Sequence, residues 1–454
     1  MKLSKKTLVM IILNLIILPL LGNESLNNYL GINIIVNIFN YILPFLLILF
    51  ILLDMIKQKV KLKFEPTLFI IIIFWITLII SFIFSITYQI FIFSNLYKFL
   101  CMTFLLLTLK EINLEKKQIK FICYSVLIIS AIVSTIGIFQ YLLEINLNLS
   151  GIEKYIGALG RINSTTFIAT LLDKFLVLNI FAILYFIYKK HTDFYISIII
   201  LILNVLALTF TFSRTGLLIF IFISILFIII FIFKKRFFCT LILIFITIGI
   251  YFIPGEKFVF NSLANYFIDI SDKISETTKI KLFKDLTEHI VSPFIIEIDK
   301  IDKENLNEQL ITGDDYSLMS REYYKTVARA LMKENWVHGL GIGSYTYIHD
   351  EQNANNYLEK EHFTEVYRYP HNMFLQLGAE IGIFGALLFF ASFIYVLIYS
   401  SIKNKTIFPL ILLISILLTC YTETLFYMKE AAYFTIILIA LFANNSFLNK
   451  AKEV

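Results

Sequence analysis

The sequence predicts an all-α polytopic membrane protein with about twelve transmembrane helices and one large extracytoplasmic loop between the ninth and the tenth. Three observations carry this. Of 454 residues, 59% are hydrophobic and 16% charged, whereas soluble domains run about 45–50% apolar and about 25% charged. The apolar residues lie in long runs, such as 195–212 and 217–233, and lysine and arginine alternate in abundance between the two sides of these runs. A soluble globular enzyme, a disordered protein and a fibrous repeat are excluded. The 46 Phe and 25 Tyr accompany much Ile, Asn and Lys, a bias that a genome can impose, so aromatic content alone does not indicate a sugar or cofactor site.

A hydrocarbon core about 30 Å thick takes roughly 20 residues of helix to cross. The first apolar segment, 7–21, follows Lys2, Lys5 and Lys6 like a signal peptide, but no small-residue cleavage site follows, so it reads as a retained anchor. Segments 32–53 and 67–85 flank a lysine cluster at 57–63, and a tight turn joins the latter to 90–109. Segment 119–143 follows Lys110, Lys116 and Lys117, and 166–188 ends at Lys189-Lys190. Next come 195–212, 215–233 and 237–253, the last two separated by Lys234-Lys235-Arg236. The final three are 371–398, 406–421 and 431–447. The expected units are therefore 1–254 with nine spans, a 255–370 loop, and 371–454 with three spans.

Cations set the orientation of such segments. With the N-terminus inside, the cytoplasmic pieces hold 20 Lys and Arg, and the short loops on the other face hold four: Lys154, Arg161, Arg214 and Lys429. Both termini are then cytoplasmic and 255–370 is outside. This segment has 13 cations and 20 of the 33 acidic groups, so the formal charge of +6 is the sum of about +13 from the spans and short loops and −7 from an acidic cap. Most of the positive charge is an orientation signal, and no nucleic-acid partner is expected. The cap is too long for an idle connection. Cys101, Cys123, Cys239 and Cys420 all lie in or beside apolar spans, where they read as inert thiols with no zinc spacing.

Three constellations suited to chemistry fall on the outer face. In Thr211-Phe212-Ser213-Arg214-Thr215-Gly216, Ser213 can cap the next helix and Arg214 stands at its N-terminus, where free N–H groups favour an anion. A guanidinium there suits a diphosphate; the competing reading is an arginine that snorkels to lipid headgroups. The second, Ser320–Glu334, reads as an amphipathic helix with a basic stripe of Arg321, Lys325 and Arg329 beside an apolar one of Tyr324, Ala328 and Leu331. The stripe fits a membrane surface or an anionic headgroup, or, for Lys325 and Arg329, the loop's own carboxylates. Gly339-Leu340-Gly341-Ile342-Gly343 follows. It lacks the strand–helix context of a dinucleotide site, and its glycines suit a tight turn and close approach to a ligand or another helix.

The third constellation is Pro370-His371-Asn372 leading into the tenth span. Proline suits a first helical turn, which puts His371 at a helix N-terminus, where a neutral imidazole, the form a general base needs, is favoured. A surface histidine near lipid is the alternative. Gly378 and Gly382 form a close-packing pair. Glu380 lies nine residues beyond His371, and at about 100° per residue the two face opposite sides. Lys98, Asp173, Lys174, Glu380 and Glu423 are charges within or beside apolar segments, which usually line a cavity or pair. As sequence neighbours, Asp173 and Lys174 are expected to need separate partners.

In order and sidedness, Ser213-Arg214-Thr215-Gly216, then Ser320-Arg321 and the glycine run, then His371-Asn372 with Glu380 and Gly382, resemble the O-antigen ligase and polymerase superfamily over roughly residues 150–400. Gly160-Arg161 before Thr166-Phe167 resembles that family's entry to its sixth span. The resemblance implies a GT-C-like, inverting, metal-independent membrane glycosyltransferase without a cofactor, acting at the outer face of the bacterial cytoplasmic membrane. Its donor would be a polyprenyl-diphosphate-linked glycan, and its acceptor lipid A–core, another glycan or a protein hydroxyl. Arg214 and Arg321 would bind the diphosphate and His371 would deprotonate or orient the acceptor hydroxyl. Arg161, Ser213, Lys98, His338, Asn372 and Glu380 are the candidate substrate contacts. His338 stands where the family often has proline, which makes it a second candidate base. The motif pattern leans towards ligation over repeat-unit polymerisation. A twelve-span transporter and a lipid-binding scaffold are the readings from other classes, but no internal repeat of the transporter kind is present. Asp314-Asp315 on a polar turn specify no closed metal site.

Overall fold

The computed structural model describes residues 2–20, 33–59, 65–85, 89–142, 169–211, 213–249, 316–345, 369–427 and 429–449. The helices are α1 Lys5–Leu20, α2 Asn33–Lys57, α3 Pro66–Ile83, α4 Gln89–Leu109, α5 Lys116–Leu142, α6 Ala169–Lys189 and α7 Phe194–Phe210. They continue with α8 Arg214–Phe233, α9 Phe237–Gly249, α10 Tyr316–Glu334, α11 Met373–Asn404, α12 Phe408–Thr422, a 3₁₀ turn Leu425–Tyr427, α13 Lys429–Ala443 and α14 Asn445–Asn449. Among the described residues there is no strand, only an isolated bridge between Lys2 and Asn113. A helix overlies each of the twelve apolar segments expected from sequence. Four stretches, Pro66–Ile83, Lys116–Leu142, Thr215–Phe233 and Met373–Asn404, are long and apolar enough by themselves to cross a membrane.

Local signals set the helix ends. Asp193 accepts a hydrogen bond from Ile196 N at 3.1 Å to cap α7, Ser213 accepts from Gly216 N at 3.2 Å to cap α8, and Asn372 accepts from Leu375 N at 3.0 Å to cap α11. Each satisfies one of the free N–H groups of a first turn. Pro66 opens α3 and Pro409 stands in the first turn of α12. Lys59, Lys190, Lys235 and Lys405 take left-handed backbone just after α2, α6, α8 and α11, the conformation that closes many helices.

Burial orders the bundle. Every residue of α6 from Leu172 to Ile187 is buried, as is α13 from Ala431 to Phe442, the pattern of helices surrounded by others. α6 is packed by α5, α7, α8, α12 and α13, while α13 also meets α1, α4 and α11. The outer faces of α3, α8 and α9 expose Ile79, Ile229 and Phe245 and similar side chains. At the lysine-rich end Asn444 ties the chain together, donating to the carbonyls of Leu109, Lys110 and Ile112 at 3.0, 3.2 and 2.6 Å. Cys101, Cys123 and Cys420 are buried and Cys239 is partly so; all four are free thiols.

Two details differ from the sequence reading. The cap of α11 is Asn372, so Pro370 precedes the helix and does not occupy its first turn. Within α11, Gly382 takes φ 75° and ψ 165°, so the tenth apolar segment is two helical pieces joined at a break. Of segment 255–370, residues 316–345 and 369–370 are described, and α10 coincides with the expected amphipathic helix. Tyr324, Ala328 and Leu331 form its buried stripe, with Arg329 exposed and Lys325 partly so.

Candidate functional site

The break in α11 and the glycine run are two halves of one structure. A helix interrupted at Gly382 frees backbone groups that must find partners when buried. Leu340 N donates to Ala379 O at 3.0 Å, Gly341 N donates to Glu380 O at 2.9 Å, and Ile383 N donates to Trp336 O at 2.9 Å. Ser81 Oγ of α3 adds a second donor to Glu380 O at 2.7 Å. Gly339, Gly341 and Gly343 all have positive φ, at 68°, 108° and 83°. A Cβ on Gly339 would fall on the Glu380 backbone, and one on Gly382 on the Val337 carbonyl. The glycines thus serve close approach to another helix.

Glu380 is fully buried at this junction. Its carboxylate accepts from Gly343 N at 2.5 Å, Tyr345 N at 3.2 Å, Gln376 Nε2 at 3.2 Å and the Tyr427 hydroxyl. Burial pushes the Tyr427 phenol well above its ordinary range, so Tyr427 is a donor to Glu380. Lys98, buried on α4, donates to Tyr427 O at 2.8 Å and stands 5.2 Å from the centre of its ring. The turn after α12 is therefore held from α4 and from α11.

That turn carries Glu423. His371, with left-handed backbone at φ 44°, places Nδ1 3.0 Å from Glu423 Oε2; the imidazole is 15% exposed and the carboxylate 6%. Asn372 fixes the same junction by donating to Tyr421 O at 3.2 Å while capping α11. As expected from their separation, His371 and Glu380 do not pair: each has its own partners. A carboxylate on Nδ1 selects the tautomer whose Nε2 lone pair can take a proton.

The start of α8 is anchored beside this pair. Ser213 Oγ donates to Asp173 Oδ2, and Lys174 Nζ donates to Asp173 Oδ2 at 2.9 Å and to Thr215 Oγ1 at 2.5 Å. This corrects the expectation of separate partners: Asp173 and Lys174 pair with each other because the four-carbon lysine stem wraps back to its neighbour, and both also reach α8. A Cβ on Gly216 would lie 2.8 Å from Asp173 Cβ, so the two helices meet without a gap. Asp173 also lies within electrostatic reach of Glu423, which links the α8 start to the His371 pair.

The structure thus brings Ser213, Lys98, Asn372, Glu380 and His371 to one end of the bundle, with the backbone of Arg214 in the first turn of α8. Four of the expected substrate contacts, Ser213, Lys98, Asn372 and Glu380, bond groups within the protein. His338 has partners of its own, its ring stacked on Phe84 at 5.0 Å and its Nδ1 2.6 Å from Gly339 O. Arg161, Asp314, Asp315 and the side chains of Arg214 and Arg321 lie outside the described residues. Among the described residues no three His, Cys, Asp or Glu side chains gather as a metal-holding group. Sequence reading flagged Glu423 only as a carboxylate in an apolar stretch and passed over Tyr427, whose role nothing in its neighbours signals.

Residues 199–390 match the family model described as O-antigen ligase. No curated protein matches the chain, and no solved structure does so. The matched stretch contains the α8 start, the glycine run and the first piece of α11, while Lys98, Asp173, Glu423 and Tyr427, which hold them, lie outside it. Residues 199–390 are therefore similar to the O-antigen ligase family, a likeness carried by an apolar helical bundle with four helices long and apolar enough to cross a membrane.

Proposed function

We propose that this protein transfers a saccharide from a polyprenyl diphosphate to an acceptor hydroxyl at the outer face of the bacterial cytoplasmic membrane, with inversion and without a metal ion. The observation that carries this reading is the His371–Glu423 pair at the start of α11. Glu423 accepts the Nδ1–H hydrogen bond and stabilises the imidazolium formed as Nε2 takes the proton of the acceptor hydroxyl, and the oxygen attacks the anomeric carbon from the face opposite the diphosphate. The carbon–oxygen bond to the diphosphate breaks with its electron pair on the leaving oxygen. Arg214 at the α8 N-terminus and Arg321 on α10 stabilise that charge, helped by the free N–H groups of the helix end. Arg161 is a further donor contact. Ser213, Asn372, Lys98 and Glu380 act as positioning residues for Arg214 and His371.

Twelve crossings with both termini cytoplasmic and 255–370 outside fit the alternation of lysines. Ligation to lipid A–core is favoured by the order of motifs; repeat-unit polymerisation shares the chemistry with another glycan as acceptor. A transporter also uses broken helices, but here the groups freed at Gly382 bond to the 336–341 backbone. The test is incubation of purified protein with polyprenyl-diphosphate-linked glycan and acceptor in EDTA. Product made by the native protein and lost in Arg214→Ala supports the reading. Loss of product in EDTA with recovery on adding a divalent ion overturns its metal-independent part.

A further inference from the structure

The end of α3 and the turn after α10 form an apolar collar at the level where α11 breaks. Phe84 is 56% exposed, Trp336 50% and Phe384 56%, with Val337 equally open. Scattered exposed apolar side chains need no explanation, but these adjoin. Trp336 and Phe384 have ring centres 6.0 Å apart; Phe84 stacks on His338, the next residue but one after Trp336. Trp336 O is bonded to Ile383 N, and Gly382 packs on the Val337 carbonyl, so the collar is built into the break.

Helix lengths place this collar relative to a bilayer. α3 has 18 residues, about 27 Å at about 1.5 Å per residue. Below the break, α11 runs from Ile383 to Ile402 ahead of Lys403, about 30 Å and thus the thickness of a hydrocarbon core. Both rods end at the collar. Exposure changes at the same point: none of residues 373–381 is exposed, whereas Phe384 and Leu387 on α11 are, as is Ile83 on α3. The collar is thus continuous with the outward faces of two helices that are themselves long and apolar enough to span. Lys333 and Glu334, just ahead of it, are exposed, as at a boundary between hydrocarbon and water, and tryptophan is enriched there.

We propose that the 336–338 turn is seated in the bilayer, with Trp336 and Val337 among lipid acyl chains at the hydrocarbon edge on the His371 side. Residues 336–338 of segment 255–370 are then embedded in the membrane and are not part of a water-borne cap. Through the Trp336–Ile383 hydrogen bond and the packing of Gly382 on Val337, the seat fixes the depth of the α11 break. This inference goes beyond the transfer reaction and does not depend on it.

The chain has two tryptophans, which makes the test direct. Trp75→Phe leaves Trp336 as the single reporter; the native protein and Trp336→Phe, compared by difference, give the same reading without disturbing the Trp75–Thr103 hydrogen bond. The protein is reconstituted in vesicles of phosphatidylcholine and phosphatidylglycerol, with and without phosphatidylcholine brominated near the headgroup end of its chains. Trp336 loses most of its emission to the brominated lipid and little to aqueous iodide. Emission unchanged by the brominated lipid overturns the proposal: quenching by iodide then means that the turn faces water, and quenching by neither means that protein, such as a second copy of the chain, covers it.

Discussion

His371 Nδ1 lies 3.0 Å from Glu423 Oε2, a contact between residues 52 apart that joins the start of α11 to the end of α12. Local sequence does not bring the two side chains together. His371 is held by the left-handed turn before the Asn372 cap, and Glu423 by the turn that Lys98 and Glu380 grip at Tyr427. The pair has the logic of a base and its orienter.

Glu423→Gln therefore lowers kcat for transfer while leaving the KM for the lipid-linked donor unchanged, because the lost interaction matters most when the imidazole takes its proton. The fall is bounded by the whole general-base contribution, about 10²–10⁴-fold. Glu423→Asp restores part of it. Steady-state kinetics with varied donor checks this; a change confined to KM contradicts it.

Gly382→Ala and Gly339→Ala destabilise the protein, since each position has positive φ and no space for a Cβ. A residue forced into that backbone region costs about 1–3 kcal/mol, with the clash in addition. Gly249→Ala on α9, with nothing within 4 Å of its added Cβ, is the matched control and leaves stability near native. Thermal unfolding in detergent distinguishes them.

Asp173→Asn or Lys174→Met alone leaves one buried charge without its partner, a loss of about 3–5 kcal/mol. The double substitution removes both charges and recovers much of that loss. A double-mutant cycle on unfolding midpoints measures the coupling, and additive effects contradict the pairing.

His191, between α6 and α7, is pushed from an ordinary 6.5 to about 4, first by burial and then by Lys189. The unfolded chain thus binds the proton more readily, so stability from this site is complete above about 6.5 and is lost as pH falls towards about 4. His191→Gln flattens the pH dependence of the unfolding midpoint across that window. An unchanged slope contradicts the assignment.

The architecture was largely legible because bilayer physics writes it into composition: apolar length gives the segments and lysines punctuate them. The α8 cap at Ser213 was legible too, since serine before an apolar run is a local signal. The break in α11 was not. Gly382 in an apolar run reads as a packing glycine, and only the docked 336–341 backbone shows that it interrupts the helix. Asp173 and Lys174 misled because neighbours on a helix point about 100° apart at Cα, which says nothing about where a long lysine stem ends. His371 was visible from its motif, whereas its partner Glu423 lies 52 residues away with no motif of its own.

We propose that His371 serves as the base for saccharide transfer. The direct measurement is the initial rate of transfer from polyprenyl-diphosphate-linked glycan to acceptor by native and His371→Ala proteins in vesicles containing EDTA. A native rate insensitive to EDTA and a fall of about 10²–10⁴-fold in kcat for the variant are expected. A folded His371→Ala protein that transfers at the native rate would contradict it.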